Sequence, residues 1–388
     1  MAADQGPRPP RGGGAIVLQG GSLGCGMRMT GVRRRPDAGA VGGAAPAPHG
    51  RTSRPVGAAI AWLILLLAAA AFAGVLLGTV PLPPLAVLAT LLGRRGPRAT
   101  PLVRDIVLEL RLPRVALGAL VGGGLAESGA VLQGLFRNPL ADPALLGISS
   151  GAGFAVVLAT TLHLGTGSLW ALPAFGFAGG LLATAAVVFL GSTHGRTPVL
   201  TLVLAGVAVS ALFGAGITLL LTLQPLTQVQ TAFAWLYGGL DGASWAGVVV
   251  LLPFVLGGGL VAAAFSRELN LLATDEDGAF TLGVAVERSR RVLLLVVALI
   301  TGACVALSGP VAFVGLIVPH ILRRVVGADH RGLLPVSLLG GATLVVLADL
   351  AGRTLDAPAE INLGVVTAFV GVPFFLYLLR RETGQRGG

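Results

Sequence analysis

Ten apolar stretches, most of them as long as a helix that crosses a bilayer, recur between residues 56 and 379. Such a helix needs about 20 mainly apolar residues. A chain in which 54% of residues are hydrophobic and 11% are charged cannot bury these stretches in a soluble core. The sequence therefore predicts an all-α polytopic membrane protein, with spans near residues 56–80, 112–135, 144–162, 168–190, 198–223, 245–265, 292–308, 310–326, 332–352 and 361–379.

The predicted membrane domain occupies residues 56–381. Residues 1–55 are rich in Gly, Pro, Ala and Arg and carry no apolar periodicity, which is typical of a disordered segment. We predict a disordered basic tail there, which a start at Met27 or Met29 would shorten. Residues 382–388 are predicted to form a short C-terminal tail.

The arginines give the orientation of the chain, because ten spans place both termini on one side. All 27 basic residues are arginines, and 20 of them fall on the side of the termini. The other side holds seven, namely Arg94, Arg95, Arg98, Arg104, Arg111, Arg114 and Arg353. Since arginines accumulate on the cytoplasmic side of spans, both termini are predicted to be cytoplasmic. The same pattern accounts for the formal charge of +10 without nucleic-acid binding.

The chain contains no lysine. It therefore lacks the lysine with which a P-loop holds nucleotide phosphates, and it has no zinc-protease motif, nucleophile elbow or spaced Cys/His cluster. We expect no catalytic residue, no metal and no cofactor in this chain. If transport is driven by ATP, a separate subunit must hydrolyse it.

Four motifs are long enough to indicate a family: Arg111-Leu-Pro-Arg114, the hinge Gln133–Pro143, the run Ser308–His320, and Gly364–Pro373. The hinge separates two apolar stretches, and its prolines prevent one continuous helix. Over residues 56–381 the chain resembles the FecCD family, the membrane subunits of ATP-driven (ABC) importers for iron-siderophores, haem and cobalamin.

This resemblance implies a permease of the bacterial inner membrane that works as a homodimer, with the pathway between the two copies. Its expected partners are the lipid bilayer, two ATP-binding subunits that would hold ATP and Mg²⁺, and a periplasmic substrate-binding protein. The segment QGLFRNPLADPALLGISSGA is most similar to the haem transporters of this family. Haem is therefore the first expected substrate, and a ferric siderophore or cobalamin is the alternative. His163, in a short external loop, is a candidate haem contact or an ordinary solvated side chain.

Three of the seven outward arginines match positions that contact the binding protein in this family. The resemblance implies that Arg111, Arg114 and Arg353 form a basic external rim that docks acidic groups of that protein. The alternative is that these side chains extend to the lipid headgroups. Asp349 lies four residues before Arg353 and is predicted to pair with it across one helical turn.

The longest polar interruption between spans is 266–291, which is predicted to be cytoplasmic. Thr274 and Asp277 have the spacing of a capping box at the start of a short helix. The resemblance implies that this segment couples to the ATPase, although a solvated loop would have the same composition. The candidate coupling residues are Thr274, Asp275, Glu276, Asp277, Gly278, Leu282 and Gly283.

Four residues are candidates for the transport pathway and its gate. Gln230 and Trp235 lie in an amphipathic external segment, where the resemblance implies the mouth of the pathway and an aromatic interface belt is the alternative. Thr197 and Thr201 fall near the cytoplasmic gate of the family, although helix capping explains them as well.

Glu127 is the clearest ionisable residue inside a predicted span, and such groups are costly in a bilayer. It is expected to pair with an arginine or to be a protonated interior carboxyl, and the alternative is a proton relay. As a relay it would make the chain a proton-coupled secondary transporter, which is the competing functional class.

Two similar sequences indicate an inverted internal repeat. Ser128-Gly-Ala-Val131 and Ser308-Gly-Pro-Val311 each follow an Arg-Val pair and an apolar run, and they occur in spans of opposite direction. Inverted repeats of this kind build many transporters around a central path.

Overall fold

The structure is a computed structural model that describes residues 56–94, 100–164, 168–192 and 196–386. Every regular element in these residues is helical, which confirms the all-α prediction. The tail predicted at 1–55 lies outside the described residues, as do Arg95 and Arg98.

The described residues of the first half of the membrane domain form eight α-helices. In chain order they are α1 (Val56–Leu76), α2 (Pro84–Leu91), α3 (Pro101–Asp105), α4 (Leu112–Leu135), α5 (Ile148–Thr161), α6 (Ala171–Gly191), α7 (Val199–Thr222) and α8 (Leu226–Leu236). A π-helical turn, Ile106–Arg111, joins α3 to α4 without a break, and a 3-10 turn, Pro143–Leu146, precedes α5.

The second half contains seven helices. They are α9 (Trp245–Ala264), α10 (Ser266–Thr274), α11 (Glu276–Thr281), α12 (Val286–Ser308), α13 (Val314–Val326), α14 (His330–Thr354) and α15 (Leu363–Arg386). Because α15 continues to Arg386, most of the segment predicted as a C-terminal tail prolongs the last helix.

Each of the ten predicted spans coincides with a helix. Within the described residues, seven candidate spans are long and apolar enough to cross a bilayer by length and composition, namely α1, the continuous run from α3 to α4, α6, α7, α9, α12 and α14. The remaining three predicted spans correspond to α5, α13 and α15. Among the seven, the run that contains α4 is the most buried and α7 is the least buried.

Hydrogen bonds show which helix ends lie together. Arg111, just before α4, donates to carbonyls at the end of α1, and Arg353, near the end of α14, donates there too. Asn270 of α10 accepts a bond from the backbone N–H of His330, the first residue of α14. We call the end of the molecule that contains Arg111 and Arg353 the Arg114 end. The end that contains Asn270 and His330 is called the Glu276 end.

Glycines let the central helices touch through their backbones. A Cβ atom on Gly122 of α4 would collide with the carbonyl of Gly341 of α14, and the reverse holds as well. A Cβ on Gly129 of α4 would collide with the backbone of Gly315 in α13. Small residues at such crossings permit close packing in a bilayer, where the hydrophobic effect does not drive helices together. α4 is thus fixed between α13 and α14.

Helix α13 begins inside the protein, beside Gly129 of α4, and its 13 residues run to the Glu276 end. The segment before it turns sharply, with positive φ at Gly309 and Phe313. Non-helical backbone at this depth is tolerated where protein surrounds it, and Gly239 N–H donates to Ser308 carbonyl at 2.8 Å. Ser308 ends its helix whereas Ser128 lies within α4, so the two similar sequences occupy different helical positions. The inverted repeat remains a prediction.

Gly122→Ala is expected to destabilise the fold, because its new methyl group must push α14 away from α4. We expect a loss of roughly 1–3 kcal/mol in the free energy of unfolding, as for other overpacked sites. Unfolding in detergent, followed by circular dichroism, measures it. Gly257→Ala is the matched control, since a Cβ there meets nothing within 4 Å. Equal stability of the two variants would contradict the backbone contact.

Candidate docking surfaces and transport elements

Three carboxylates surround Arg114 at its end of the molecule. Its Nη2 atom lies 2.9 Å from Asp349 Oδ1, 2.8 Å from Glu360 Oε2 and 3.2 Å from Asp241 Oδ1. Asp349 is 5% exposed, whereas Glu360 is 30% and Asp241 is 70% exposed. Arg114 thus joins α4 to α14, to the loop after α14 and to the segment before α9.

Arg111 and Arg353 bind the end of α1. Arg111 Nη1 donates to the Val75 and Leu76 carbonyls at 2.9 and 2.8 Å. Arg353 donates to the Gly74 carbonyl at 3.2 Å and pairs with Asp349 at 2.9 Å, which confirms the predicted pair.

The last carbonyls of a helix have no partner within that helix, so these two guanidinium groups satisfy them. Arg111 is 5% exposed and Arg353 is 3% exposed. The predicted placement of both on an exposed basic rim is therefore wrong. Of the three predicted docking arginines, Arg114 is the one that reaches the surface, at 16% exposure.

A cavity of about 560 Å³ opens at the Arg114 end, among α6, α8, α9 and the end of α12. Trp235, predicted as a pathway residue, lines it together with Trp170, Asp241 and Ser308. Gln230, the other predicted pathway residue of α8, is exposed and does not line this cavity. His163 Nε2 lies 2.9 Å from the side-chain nitrogen of Gln228 in α8.

At the opposite end, α10 and α11 form the predicted coupling segment. Asp275, and not Thr274, caps α11: its Oδ2 accepts a bond from the Gly278 N–H at 2.8 Å. Thr274 is the last residue of α10, and its hydroxyl donates to the Asn270 carbonyl at 3.1 Å. The capping-box prediction was therefore wrong by one residue, because the extended backbone of a cap falls on Asp275.

An ion-pair network fixes α11 to α12 and to the start of α7. Glu276 lies 3.0 Å from Arg290, which also pairs with Glu287 at 3.0 Å. Glu287 accepts bonds from the side chain and backbone of Thr197 at 2.9 and 3.2 Å. Thr201 is not part of this network, since its hydroxyl donates to the Gly191 carbonyl at 2.7 Å.

Apolar side chains of this segment point away from the protein. Phe280 is 70% exposed and Leu282 is 62% exposed. Gly283 turns the chain with a φ of 82°, a conformation that favours glycine. Beside them lies a cavity of about 560 Å³ lined by charged residues, including Glu276 and Asp277.

Asn270 links α10 to the start of α14. Its amide nitrogen donates to Asp329 at 2.7 Å and its oxygen accepts from the His330 N–H at 2.9 Å. Partial burial disfavours the Asp329 carboxylate, but bonds from Asn270 and from the Arg331 backbone hold its pKa below the ordinary value. The coupling segment therefore contacts both α12 and α14 through charged or polar groups.

Glu127 is 3% exposed in the middle of the helix bundle. Its carboxylate lies against Gly259 of α9, where an added Cβ would come within 2.7 Å of Oε2. That oxygen has no hydrogen-bond partner, and no arginine of the described residues lies within ion-pair distance of Glu127. The expected arginine partner is absent from this part of the chain.

Sequence reasoning missed several residues that hold the two ends together. Asp241, Glu360 and Asn270 act across long sequence separations that no local pattern reveals. Glu287 and Arg290 have the i,i+3 spacing of a helical ion pair, which is a signal that the sequence does contain.

The fold and its two polar ends define a polytopic membrane permease. The sequence profile of the FecCD transport family matches residues 65–381, so the chain belongs to that family, as the sequence motifs predicted. It is 48% identical to the cobalamin import system permease protein of Halobacterium salinarum over 71% of this chain and 73% of the relative. It is 43% identical to the hemin transport system permease protein of Yersinia pestis over 73% of this chain and 85% of the relative.

A solved structure has the same architecture. The chain superposes with a TM-score of 0.73 on an inward-facing structure described as a metal-chelate type ABC transporter. The two are 32% identical, and the match covers 83% of this chain and 98% of the other. The chain thus has the architecture of a membrane permease of the ABC-transporter type.

Asp349→Asn is expected to destabilise the protein strongly, since it leaves Arg114 and Arg353 with less compensating charge in a buried position. Removing one partner of such a buried ion pair lowers the free energy of unfolding by about 3–5 kcal/mol. Asp241→Asn is the matched control, because its exposed pair contributes less than about 1 kcal/mol. Thermal unfolding in detergent compares them, and equally small losses would disprove the central role of Asp349.

Asp275→Ala is expected to loosen α11 by about 1 kcal/mol, the usual value of a lost N-cap. Amide hydrogen exchange at Gly278 should accelerate about fivefold, as that free energy implies. Thr274→Ala should leave exchange there unchanged. If Thr274→Ala accelerated exchange at Gly278 and Asp275→Ala did not, Thr274 would be the capping residue, as the sequence predicted.

Proposed function

We propose that this chain is the transmembrane subunit of an ATP-driven importer that moves a bulky metal chelate across the inner membrane by alternating access. The observation that carries this proposal is the α10–α11 segment, which exposes Phe280 and Leu282 and is tied by ion pairs to the membrane helices. A chain without lysine needs a partner for ATP hydrolysis, and this segment is the surface that suits one.

The partner ATPase would supply the bound ATP and Mg²⁺. Its surface should receive Phe280 and Leu282 in an apolar cleft, with the neighbouring charges at the rim, as is usual for protein interfaces. This assignment places the Glu276 end and both termini in the cytoplasm. The coupling roles of Thr274, Asp275, Asp277, Gly278 and Gly283 are then to shape this segment.

A movement of α11 would be transmitted to the membrane helices through the ion pair between Glu276 and Arg290. Arg290 Nη1 donates to the Thr197 carbonyl at 3.1 Å, and Thr197 lies two residues before α7. A displacement of α11 would therefore pull on the start of α7 as well as on α12. In this proposal Thr197 is a mechanical link, and Thr201 fixes the same end of α7 to α6.

The pathway is proposed to lie between two copies of this chain. α7 supports this arrangement, because it is the least buried candidate span and exposes Leu204, Leu212 and Leu219 along its length. Gln230 of α8 is retained as a pathway residue. Trp235 faces a cavity within one chain, and we assign it to that cavity instead of the path between copies.

A periplasmic binding protein is proposed to dock at the Arg114 end. Arg114 is held by two partly exposed carboxylates, Asp241 and Glu360, as well as by buried Asp349. An acidic group of the binding protein could replace either exposed carboxylate without disturbing Asp349. Arg111 and Arg353 would then support the docking surface from beneath.

Haem is the first candidate substrate, and cobalamin or a ferric siderophore is the alternative. The relative named for cobalamin is 48% identical and the relative named for hemin is 43% identical, a difference too small to rank the two chelates. Substrate-stimulated ATP hydrolysis by the reconstituted complex separates them. We expect stimulation by the haem-loaded binding protein, and stimulation by cobalamin or ferric enterobactin alone would reassign the substrate.

Glu127 is the observation that favours a second candidate, proton-coupled secondary transport. Its carboxylate is buried inside a span and one of its oxygens has no hydrogen-bond partner, and carboxylates inside spans often belong to proton relays. Glu127→Gln should retain most of the transport activity if ATP drives the import. Loss of transport in Glu127→Gln would instead support the proton-coupled class.

Phe280→Ala with Leu282→Ala is expected to weaken association with the ATPase at least tenfold, since two exposed apolar anchors are removed. Copurification of the two subunits and ATP hydrolysis by the complex measure the effect. Leu260→Ala is the matched control, because Leu260 is 72% exposed on a membrane-spanning helix. Unchanged association of the double variant would refute this docking surface.

A further inference from the structure

A narrow apolar groove of about 200 Å³ lies between α6 and α9. Ala303, Ala306 and Leu307 of α12 form its floor. At its inner end Phe177 of α6 meets Phe254 of α9 edge to face, with ring centroids 5.4 Å apart. All of its lining residues are apolar or aromatic: Trp170, Pro173, Ala174, Phe177, Val250, Phe254, Ala303, Ala306 and Leu307.

The groove continues into the 560 Å³ cavity at the Arg114 end, since Trp170, Pro173, Ala306 and Leu307 line both. This wider part has a different chemistry. It adds the hydroxyl groups of Thr231, Ser244 and Ser308 and the carboxylate of Asp241, the one charged residue among its described lining. The whole cleft is therefore apolar at its inner end, and its outer end carries one exposed carboxylate, which also pairs with Arg114.

Its position matches one leaflet of the bilayer. The wide part lies where α6 and α9 begin and α12 ends, which is the level of the lipid headgroups for helices that span the membrane. Trp170 and Trp235 line the cleft at this level and Trp245 is the first residue of α9, which fits the enrichment of aromatic residues at membrane interfaces. Val250, on the wall of the narrow part, is 44% exposed, so the groove opens toward the lipid-facing side.

We propose that this cleft binds a phospholipid with a primary ammonium headgroup, with the part of one acyl chain nearest the headgroup in the groove and the ammonium group at Asp241. An apolar channel accepts hydrocarbon, and a carboxylate 70% exposed at its mouth selects a cation that donates hydrogen bonds. A lipid with a net negative headgroup would be repelled by the same carboxylate. The site lies within one chain and is thus separate from the pathway proposed between two copies.

Bound lipid would connect α6, α9 and α12 at the end where the binding protein docks. Because Asp241 also pairs with Arg114 at 3.2 Å, the ammonium group would compete with Arg114 for the Asp241 carboxylate. Lipid composition is therefore expected to change the charge that Arg114 presents to a partner.

Native mass spectrometry of the delipidated full chain, titrated with dioleoyl phosphatidylethanolamine, tests the proposal, with dioleoyl phosphatidylglycerol as the anionic comparison. We expect the ethanolamine lipid to bind more tightly than the glycerol lipid. Asp241→Asn should weaken ethanolamine-lipid binding about tenfold, the loss of one charge-assisted bond, without weakening glycerol-lipid binding. Equal affinities for both lipids in the unmodified chain would overturn the role of Asp241.

Two further variants test the groove independently of charge. Ala174 is exposed on its wall, so Ala174→Phe fills the groove without burying a new side chain in the core. We expect at least a tenfold loss of binding of the ethanolamine lipid. Ala185→Phe is the control, because Ala185 is exposed further along α6 and lines neither part of the cleft. Unchanged binding to Ala174→Phe would overturn the acyl-chain site.

Discussion

The backbone contact between Gly122 of α4 and Gly341 of α14 fixes the centre of this permease. In lipid the two helices gain little from hiding apolar side chains, so close packing must supply the attraction. Once α4 and α14 touch, Asp349 comes within reach of Arg114, and both α14 and the start of α4 can satisfy the carbonyls of α1. The polar cluster at the Arg114 end thus depends on an apolar contact deeper in the bundle.

Charge in this protein is confined mostly to the two ends, and each end uses it differently. At the Arg114 end, arginines lie among carboxylates and helix carbonyls, and the exposed members of the cluster are acidic. At the Glu276 end, the buried guanidinium of Arg290 holds a short helix whose apolar side chains face outward. The first arrangement suits recognition of a charged partner. The second suits the transfer of force from a partner that moves.

Much of the fold follows from the sequence, because hydropathy marks spans and Pro or Gly marks their ends. Ten predicted spans coincide with helices, and the Asp349–Arg353 pair follows from i,i+4 spacing. The capping box failed locally, by one residue, whereas the failure at Arg111 comes from contacts distant in the sequence. The sequence predicts Arg111 on an exposed rim, but this side chain is buried against carbonyls of a helix about 35 residues earlier, as the separations of its bonds show. Sequence patterns carry no information on such distant partners.

Uptake into proteoliposomes that contain this chain, its ATPase and the haem-loaded binding protein decides between ATP-driven and proton-coupled import. We expect haem accumulation that requires ATP, proceeds without a proton gradient, and falls when Phe280 and Leu282 are both replaced by alanine. Uptake that needs a proton gradient and proceeds without ATP would contradict it.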